Sequence, residues 1–162
     1  FIKIILITNS HFKDKRGVLF SQYSDDLIRK EIKKKFKSFQ DKIMVRKKNT
    51  LTGIHGDSKS WKLLSCLQGK ILVVLTNCDK NSKKFGKHLK IILRGCDKKV
   101  IIIPPQIGNS YLCLDKDNII SYKILFNGKY LDYKDQFTYK WNDKNFKIRW
   151  PITKPILSNR DK

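Results

Sequence analysis

The sequence has few acidic residues and no long hydrophobic run. Asp and Glu together number 14 in 162 residues, against 36 Lys and Arg, and the formal net charge is +22. No apolar stretch approaches the roughly 20 residues that a membrane-spanning helix needs, and no signal peptide is visible. We therefore predict a cytoplasmic protein, with one domain over residues 1–162, that does not enter a membrane.

Cysteine and histidine are also scarce, and neither is clustered. The four cysteines form no Cys-x-x-Cys pair, and each lies in or beside an apolar segment: Cys66, Cys78, Cys96 and Cys113. This predicts reduced core residues and no disulfide frame. The three histidines stand on separate segments without a His-x-His pair: His11, His55 and His88. We therefore predict no metal site and no cofactor.

The excess of positive charge indicates an anionic partner. The lysines are scattered along the chain, however, and no RNA- or DNA-binding motif accompanies them. A solvated basic surface that attracts an anionic substrate is the favoured interpretation, and nucleic acid is not the expected partner.

One helix is predicted near the N-terminus. Ser24 is a typical N-cap, and two aspartates follow it in the first turn, where they oppose the helix dipole. Apolar residues then recur every four positions, at Ile28, Ile32 and Phe36.

The rest of the chain has the pattern of short strands separated by turns. Residues 1–8 and 18–23 precede the helix as strands, and Asn127-Gly128 is the best hairpin signal. Such spacing predicts an all-β sandwich or barrel. The strands predicted after the helix cover residues 38–45, 50–55, 61–67, 70–77, 88–94, 99–103, 109–114, 118–126 and 137–140.

Several catalytic classes lack their motifs in this sequence. It has no Gly-rich phosphate loop and no Gly-x-Ser-x-Gly or Cys/His signature of acyl transfer. What remains is acid–base chemistry by a histidine with carboxylate and tyrosine partners. His55 has the most suggestive setting, because it ends a short apolar segment that follows a basic run.

A series of motifs around His55 resembles the dTDP-4-dehydrorhamnose 3,5-epimerase family. That family has an Asp-x-Arg-Gly turn, a Phe-x-Gln-Asp-like strand and a Leu-Arg-Gly-Leu-His segment. The matching stretches are Asp14-Lys15-Arg16-Gly17, Phe39-Gln40-Asp41, Leu51-Thr52-Gly53-Ile54-His55, Lys62-Leu63, Phe85-Gly86, Ile103-Pro104, Tyr122-Lys123, Trp141-Asn142-Asp143, Trp150-Pro151 and Pro155-Ile156-Leu157-Ser158. The resemblance implies a cupin-type jelly-roll β-barrel and a homodimer that exchanges N-terminal strands.

The resemblance also implies the chemistry. Family substrates are nucleotide-linked 4-keto sugars, in which the ketone acidifies the hydrogens at C3 and C5. By motif match, His55 would be the base and Asp143 its orienting carboxylate. Tyr122 would be the acid, with Tyr130 and Tyr133 as alternatives. Lys62 would be the cation near the enolate oxygen. A turn aspartate is the competing interpretation of Asp143.

The residues that bind the substrate match the family pattern less completely than the catalytic residues do. Arg16, Phe20 and Gln40 match positions that bind the nucleotide diphosphate, the base or the sugar. The arginine of the His55 segment is Thr52 here, a second active-site histidine is Asn109, and an aspartate is Asn77. These departures indicate a different substrate from the family's best-known one.

Family members of this kind occur in capsule heptose pathways, where the carrier is GDP. The resemblance to them implies a GDP-linked 4-keto heptose or deoxysugar in surface or capsular polysaccharide biosynthesis. Epimerisation is expected at C3, with C5 left open. A 3,4-ketoisomerase and a non-catalytic nucleotide-sugar or polyanion binder are the alternatives.

Overall fold

Strands dominate the computed structural model, which describes residues 4–162 apart from the side chain of Ile28. The first three residues of the predicted N-terminal strand lie outside this range. The elements are β1 (Ile5–Thr8), β2 (His11–Asp14), β3 (Gly17–Phe20), α1 (Asp25–Ile32), β4 (Ser38–Lys47), β5 (Ile54–Gly56), β6 (Trp61–Gln68), β7 (Lys70–Asn77), β8 (His88–Arg94), β9 (Lys99–Ile103), β10 (Ile107–Cys113), β11 (Asp117–Phe126) and β12 (Phe137–Tyr139).

Two antiparallel five-stranded sheets face each other. One has the order β1-β9-β6-β11-β4 and the other β12-β5-β10-β7-β8, while β2 and β3 form a separate hairpin. Leu64 and Ile101 of the first sheet share one buried cluster with Val73 and Tyr111 of the second. The predicted all-β architecture is confirmed.

The C-terminal tail covers the outer face of the second sheet. Strands β7 and β10 are buried almost throughout, because both of their faces are covered. Val74 and Leu112 face outwards from the barrel interior and pack against Trp141, Trp150 and Leu157 of the tail. The tail has little regular structure, yet its apolar residues anchor it firmly, which brings the last residues of the chain to the mouth of the barrel.

The predicted helix forms where its capping residues place it. Ser24 Oγ accepts a hydrogen bond from Leu27 N at 3.1 Å, as an N-cap does. The helix ends at Ile32, one turn before Phe36 of the predicted stripe, because Lys33 takes up a left-handed conformation with φ 57°. Ile32 is buried against Val100 and Ile102 on the outside of the first sheet. Among residues 4–162, no helix is long and apolar enough to cross a membrane.

The predicted hairpin at Asn127-Gly128 is wrong. Gly128 does turn the chain, with φ 78°, but the next strand, β12, pairs with β5 in the other sheet. Asn127 instead fixes the segment before β4, since its side chain accepts from Lys37 N and donates to Lys35 O. The asparagine of this pair therefore holds a distant segment of the chain in place instead of starting a hairpin.

Three of the four cysteines lie in the core as predicted. Cys66, Cys78 and Cys113 are free and buried, whereas Cys96 is free and exposed. Cys96 is exposed because it belongs to a short 3₁₀ turn, Gly95–Asp97, between β8 and β9.

Candidate active site

A cavity of about 550 Å³ opens at one end of the barrel. Strand β4 contributes alternate residues, because successive side chains of a strand point to opposite faces. The tail closes one wall. The residues that line the cavity are Lys42, Met44, Arg46, Thr50, Leu51, Thr52, His55, Asn109, Tyr111, Tyr122, Ile124, Gln136, Ile156, Leu157, Ser158, Arg160 and Asp161.

His55 in this cavity is held by a carboxylate from the tail. Its Nε2 lies 2.7 Å from Asp161 Oδ1, and its Nδ1 lies 3.3 Å from Thr138 Oγ1. Burial alone would raise the pKa of Asp161, but its contacts with His55 and Ser158 hold that pKa below its ordinary value. The charged carboxylate accepts the Nε2 proton, so Nδ1 is left as the basic nitrogen.

The prediction that Asp143 orients His55 is wrong. Asp143 occupies a turn, where its Oδ1 accepts from Asn145 N at 2.9 Å, and both ring nitrogens of His55 have other partners. Asp161 was missed because it lies in a tail with no periodic pattern. One signal was available: Asp161 is the only acidic residue after Asp143.

The glycine of the His55 segment makes room for this carboxylate. A Cβ at Gly53 would lie 2.7 Å from Asp161 Oδ1 and 2.8 Å from Tyr139 O. Both distances are too short for a real contact, so any side chain at position 53 would push the tail carboxylate away from His55.

Tyr122 lines the same cavity from β11. Its hydroxyl donates to Asn109 Oδ1 at 2.9 Å, and burial raises its pKa. The phenol is therefore protonated at neutral pH, as a proton donor must be. The alternatives Tyr130 and Tyr133 do not line the cavity; Tyr133 is 54% exposed.

Lys62 lies in the barrel interior and does not line the cavity. Its Nζ is 3.1 Å from Asp57 Oδ2, and both side chains are at most 2% exposed. The backbone N–H groups of Lys59 and Ser60 donate to Asp57 Oδ1 at 2.9 and 2.6 Å. Burial lowers the pKa of Lys62 even though Asp57 opposes this. The predicted free cation beside the enolate is thus a neutralised pair in this structure.

The predicted substrate-binding residues fall into two groups. Thr52 and Asn109 line the cavity. Gln40 lies two residues before Lys42 on the same face of β4, just outside the cavity lining. Arg16 and Phe20 belong to the β2–β3 hairpin and do not line the cavity of their own chain; Arg16 is 88% exposed and pairs with Asp14.

Three cations that the sequence did not single out line the cavity: Lys42, Arg46 and Arg160. Arg160 is held in place, since its Nη2 donates to Thr138 Oγ1 at 2.6 Å and to Gln136 Oε1 at 3.3 Å. Among residues 4–162, the lining has one carboxylate, Asp161, and His55 already engages it. The cavity is therefore electropositive and suited to an anionic ligand.

Comparison with known proteins agrees with this geometry. The family model described as dTDP-4-dehydrorhamnose 3,5-epimerase matches residues 2–162. The chain belongs to this family. It is accordingly a carbohydrate epimerase, an enzyme of the isomerase class.

Individual relatives match this chain over nearly its whole length. The dTDP-4-dehydrorhamnose 3,5-epimerase of Salmonella typhimurium is 27% identical over 162 residues, which cover 98% of this chain and 87% of the relative. The Bacillus anthracis enzyme of the same name, solved with TDP and PPi bound, is 26% identical with a TM-score of 0.86, over 98% of this chain and 90% of that one. A 3'-monoepimerase from Streptomyces bikiniensis, 21% identical with a TM-score of 0.87, covers 98% and 80% and shows the fold alone. The predicted cupin-type fold and family are confirmed.

Exchanging Asp161 for Asn should reduce turnover strongly, because the amide cannot stabilise the imidazolium or hold the required tautomer. We expect kcat of Asp161→Asn to fall about 10²–10⁴-fold. Asp143→Asn is the matched control and should keep turnover within a few-fold of the parent protein. Steady-state kinetics give kcat for both variants and so show which carboxylate supports turnover. The reverse ranking would contradict the assignment of Asp161.

Removing one partner of the buried Lys62–Asp57 pair should destabilise the fold. Asp57→Asn leaves an uncompensated buried ammonium, so we expect the free energy of unfolding to fall by about 3–5 kcal/mol, measured by urea denaturation at pH 7. The double variant Asp57→Asn/Lys62→Met should recover part of this loss, since no buried charge remains.

The same pair contributes to the acid dependence of stability. Its contacts lower the pKa of Asp57 in the folded protein. The stabilisation is therefore present above the ordinary value, 3.8, and is lost as pH falls through the folded-state value. Unchanged stability of Asp57→Asn at pH 7 would contradict this account.

Proposed function

We propose that this epimerase inverts a carbon next to the ketone of a nucleoside-diphosphate 4-keto sugar, without a cofactor. The observation that carries the proposal is that the His55–Asp161 pair and the protonated Tyr122 line one cavity. A base and an acid on different walls are what inversion requires, because the proton must leave one face of the carbon and return to the other.

The proton transfers follow from these positions. The C4 ketone acidifies the C–H bond at C3, and His55 Nδ1 takes that proton while the electron pair moves to the C4 oxygen. Asp161 stabilises the imidazolium that results. Tyr122 then protonates the opposite face of C3, and solvent exchange restores both groups. General acid–base catalysis of this kind is typically worth about 10²–10⁴-fold.

The charge of the cavity supports a nucleoside-diphosphate carrier. Lys42, Arg46 and Arg160 offer three cations, and the two arginines can each bind a phosphate through paired N–H groups. The relatives are named for a dTDP-linked sugar. Thr52 and Asn109, which replace an arginine and a histidine of the family pattern, favour a different substrate, and we propose a GDP-linked 4-keto heptose or deoxysugar of surface polysaccharide synthesis.

We propose in addition that the enzyme is a homodimer that exchanges its N-terminal hairpins. Apolar residues are exposed on the outer face of β4, where Phe39, Ile43 and Val45 are 59–70% exposed. The β2–β3 hairpin exposes Leu19 as well. A second copy would cover such a surface, and the exchange would bring Arg16 and Phe20 to the partner's cavity.

Solvent deuterium tests the proposed reaction. In D₂O the parent protein should place deuterium at C3 of the 4-keto sugar and invert that carbon, as seen by NMR, and His55→Asn should abolish both. Deuterium at C5 would extend the reaction to that carbon. GDP- and dTDP-linked substrates are compared directly through kcat/KM. A product whose ketone has moved to C3 would show a 3,4-ketoisomerase instead, and no exchange with either carrier would overturn the proposal.

Subunit mixing tests the exchanged hairpin. Arg16→Ala and His55→Asn should each be poorly active alone. If Arg16 serves the partner's site, heterodimers contain one site with both original residues, so a mixture should regain roughly a quarter of the parent's sites. Arg16→Ala mixed with Tyr122→Phe provides a second pair. Failure of both mixtures to gain activity, with heterodimers present, would argue against the exchange.

A further inference from the structure

Asn109 lies between the base and the acid. In the pairing of β10 with β5, Asn109 stands directly opposite His55. Its side-chain Oδ1 accepts the hydroxyl proton of Tyr122 at 2.9 Å. The residue is only 7% exposed, and it lines the cavity. A sugar carbon held between His55 and Tyr122 would therefore have this amide beside it.

The amide nitrogen of Asn109 has hydrogen-bonding capacity to spare. Since Oδ1 faces the Tyr122 hydroxyl, Nδ2 points to another direction. Within residues 4–162, no protein acceptor bonds to Nδ2, and it is not among the fully enclosed polar atoms that lack a partner. Its N–H groups are thus accessible from the cavity that also holds His55 and Tyr122.

Lys62 is poorly placed to meet that charge. Its ammonium is paired with Asp57 and does not line the cavity. Arg160 already donates to Thr138 and Gln136 through Nε and Nη2, and its remaining N–H groups are the ones proposed above to bind a phosphate. A fixed neutral amide is a well-attested oxyanion donor, and removing such a donor typically costs about 10²–10³-fold in kcat.

We propose that Asn109 is a catalytic residue whose Nδ2 donates a hydrogen bond to the C4 oxygen of the substrate and stabilises the enolate. His55 removes the proton, the electron pair moves to the C4 oxygen, and the amide N–H receives the charge without itself changing protonation state. The proposal rests on the epimerase function proposed above and assigns one step of it to Asn109.

A purely positioning role is the competing account, in which Asn109 only aims Tyr122. Deuterium exchange separates the two, because exchange needs the base and the enolate but not the acid. Tyr122→Phe should still exchange the C3 hydrogen on the His55 face while losing inversion. A variant that merely disorients Tyr122 should behave in the same way.

The decisive variants are Asn109→Asp and Asn109→Leu. Asn109→Asp keeps an acceptor for the Tyr122 hydroxyl but loses the amide donor, and Asn109→Leu loses both without adding charge. We expect exchange and inversion to fall together by about 10²–10³-fold in each, with KM changed much less than kcat. Circular dichroism and nucleoside-diphosphate binding confirm that the variants are folded.

Three results would overturn the proposal. Exchange that persists while inversion is lost would make Asn109 a positioning residue. Loss of exchange in Asn109→Asp alone would trace the effect to the added negative charge. Exchange close to that of the parent in both variants would show that the amide takes no part. A parent protein that exchanges no hydrogen would instead refute the proposed function itself.

Discussion

The contact between Asp161 and His55 is the interaction on which the site depends. It joins the C-terminal tail to a three-residue strand, β5, which lies between β12 and β10 in the second sheet. Two conditions make it possible. The tail must be anchored, which Trp141, Trp150 and Leu157 achieve by packing on β7 and β10. The backbone beside His55 must also carry no side chain, and Gly53 meets that need. The base is thus assembled only when the tail is packed on the sheet.

Charge is distributed unevenly between the interior and the cavity. Inside the barrel the ammonium of Lys62 is neutralised by Asp57, because an unpaired charge there would be very costly. In the cavity, by contrast, Lys42, Arg46 and Arg160 keep donors available and the one carboxylate is committed to His55. The net charge of +22 belongs to the chain as a whole, whereas the cations of the cavity act directly on a bound ligand, since low-dielectric walls strengthen the local field.

Local patterns in the sequence predicted much of the fold. The helix follows from Ser24 and its spacing of apolar residues, and most strands follow from runs of apolar residues bounded by turns. Such signals depend on neighbours in the chain. The hairpin prediction at Asn127-Gly128 fails because it needs more than local information. The pair does form a turn, but long-range packing decides which sheet the next strand joins.

In the site, too, residues on regular strands are predictable from the sequence, whereas residues placed by long-range packing are not. His55, Tyr122 and Asn109, which short motifs indicate, reach one cavity because each lies on a strand whose direction fixes its side chain. Thr52, in the segment just before β5, reaches the same cavity. Asp161 and Arg160 lie in an irregular tail, where no periodicity reports which way a side chain points. Asp143, the carboxylate nearest to a motif, was preferred for its sequence context, whereas the tertiary path of the tail decides the partner. Lys62 was placed correctly on a strand, but its burial against Asp57 depends on a loop that the strand pattern does not describe.

The groups proposed for the proton transfers and two of the cations proposed to bind the carrier lie on different kinds of strand. The base and the acid sit on β5 and β11, and the amide of Asn109 on β10 connects them through the register of the second sheet and one hydrogen bond. These strands lie within their sheets, so neighbours on both sides fix their side chains. Strand β4 is an edge strand, and the cations it presents, Lys42 and Arg46, can change without disturbing the acid–base geometry. A family that keeps its chemistry while altering its carrier would be expected to vary at such an edge, where the cavity cations Lys42 and Arg46 of this chain lie.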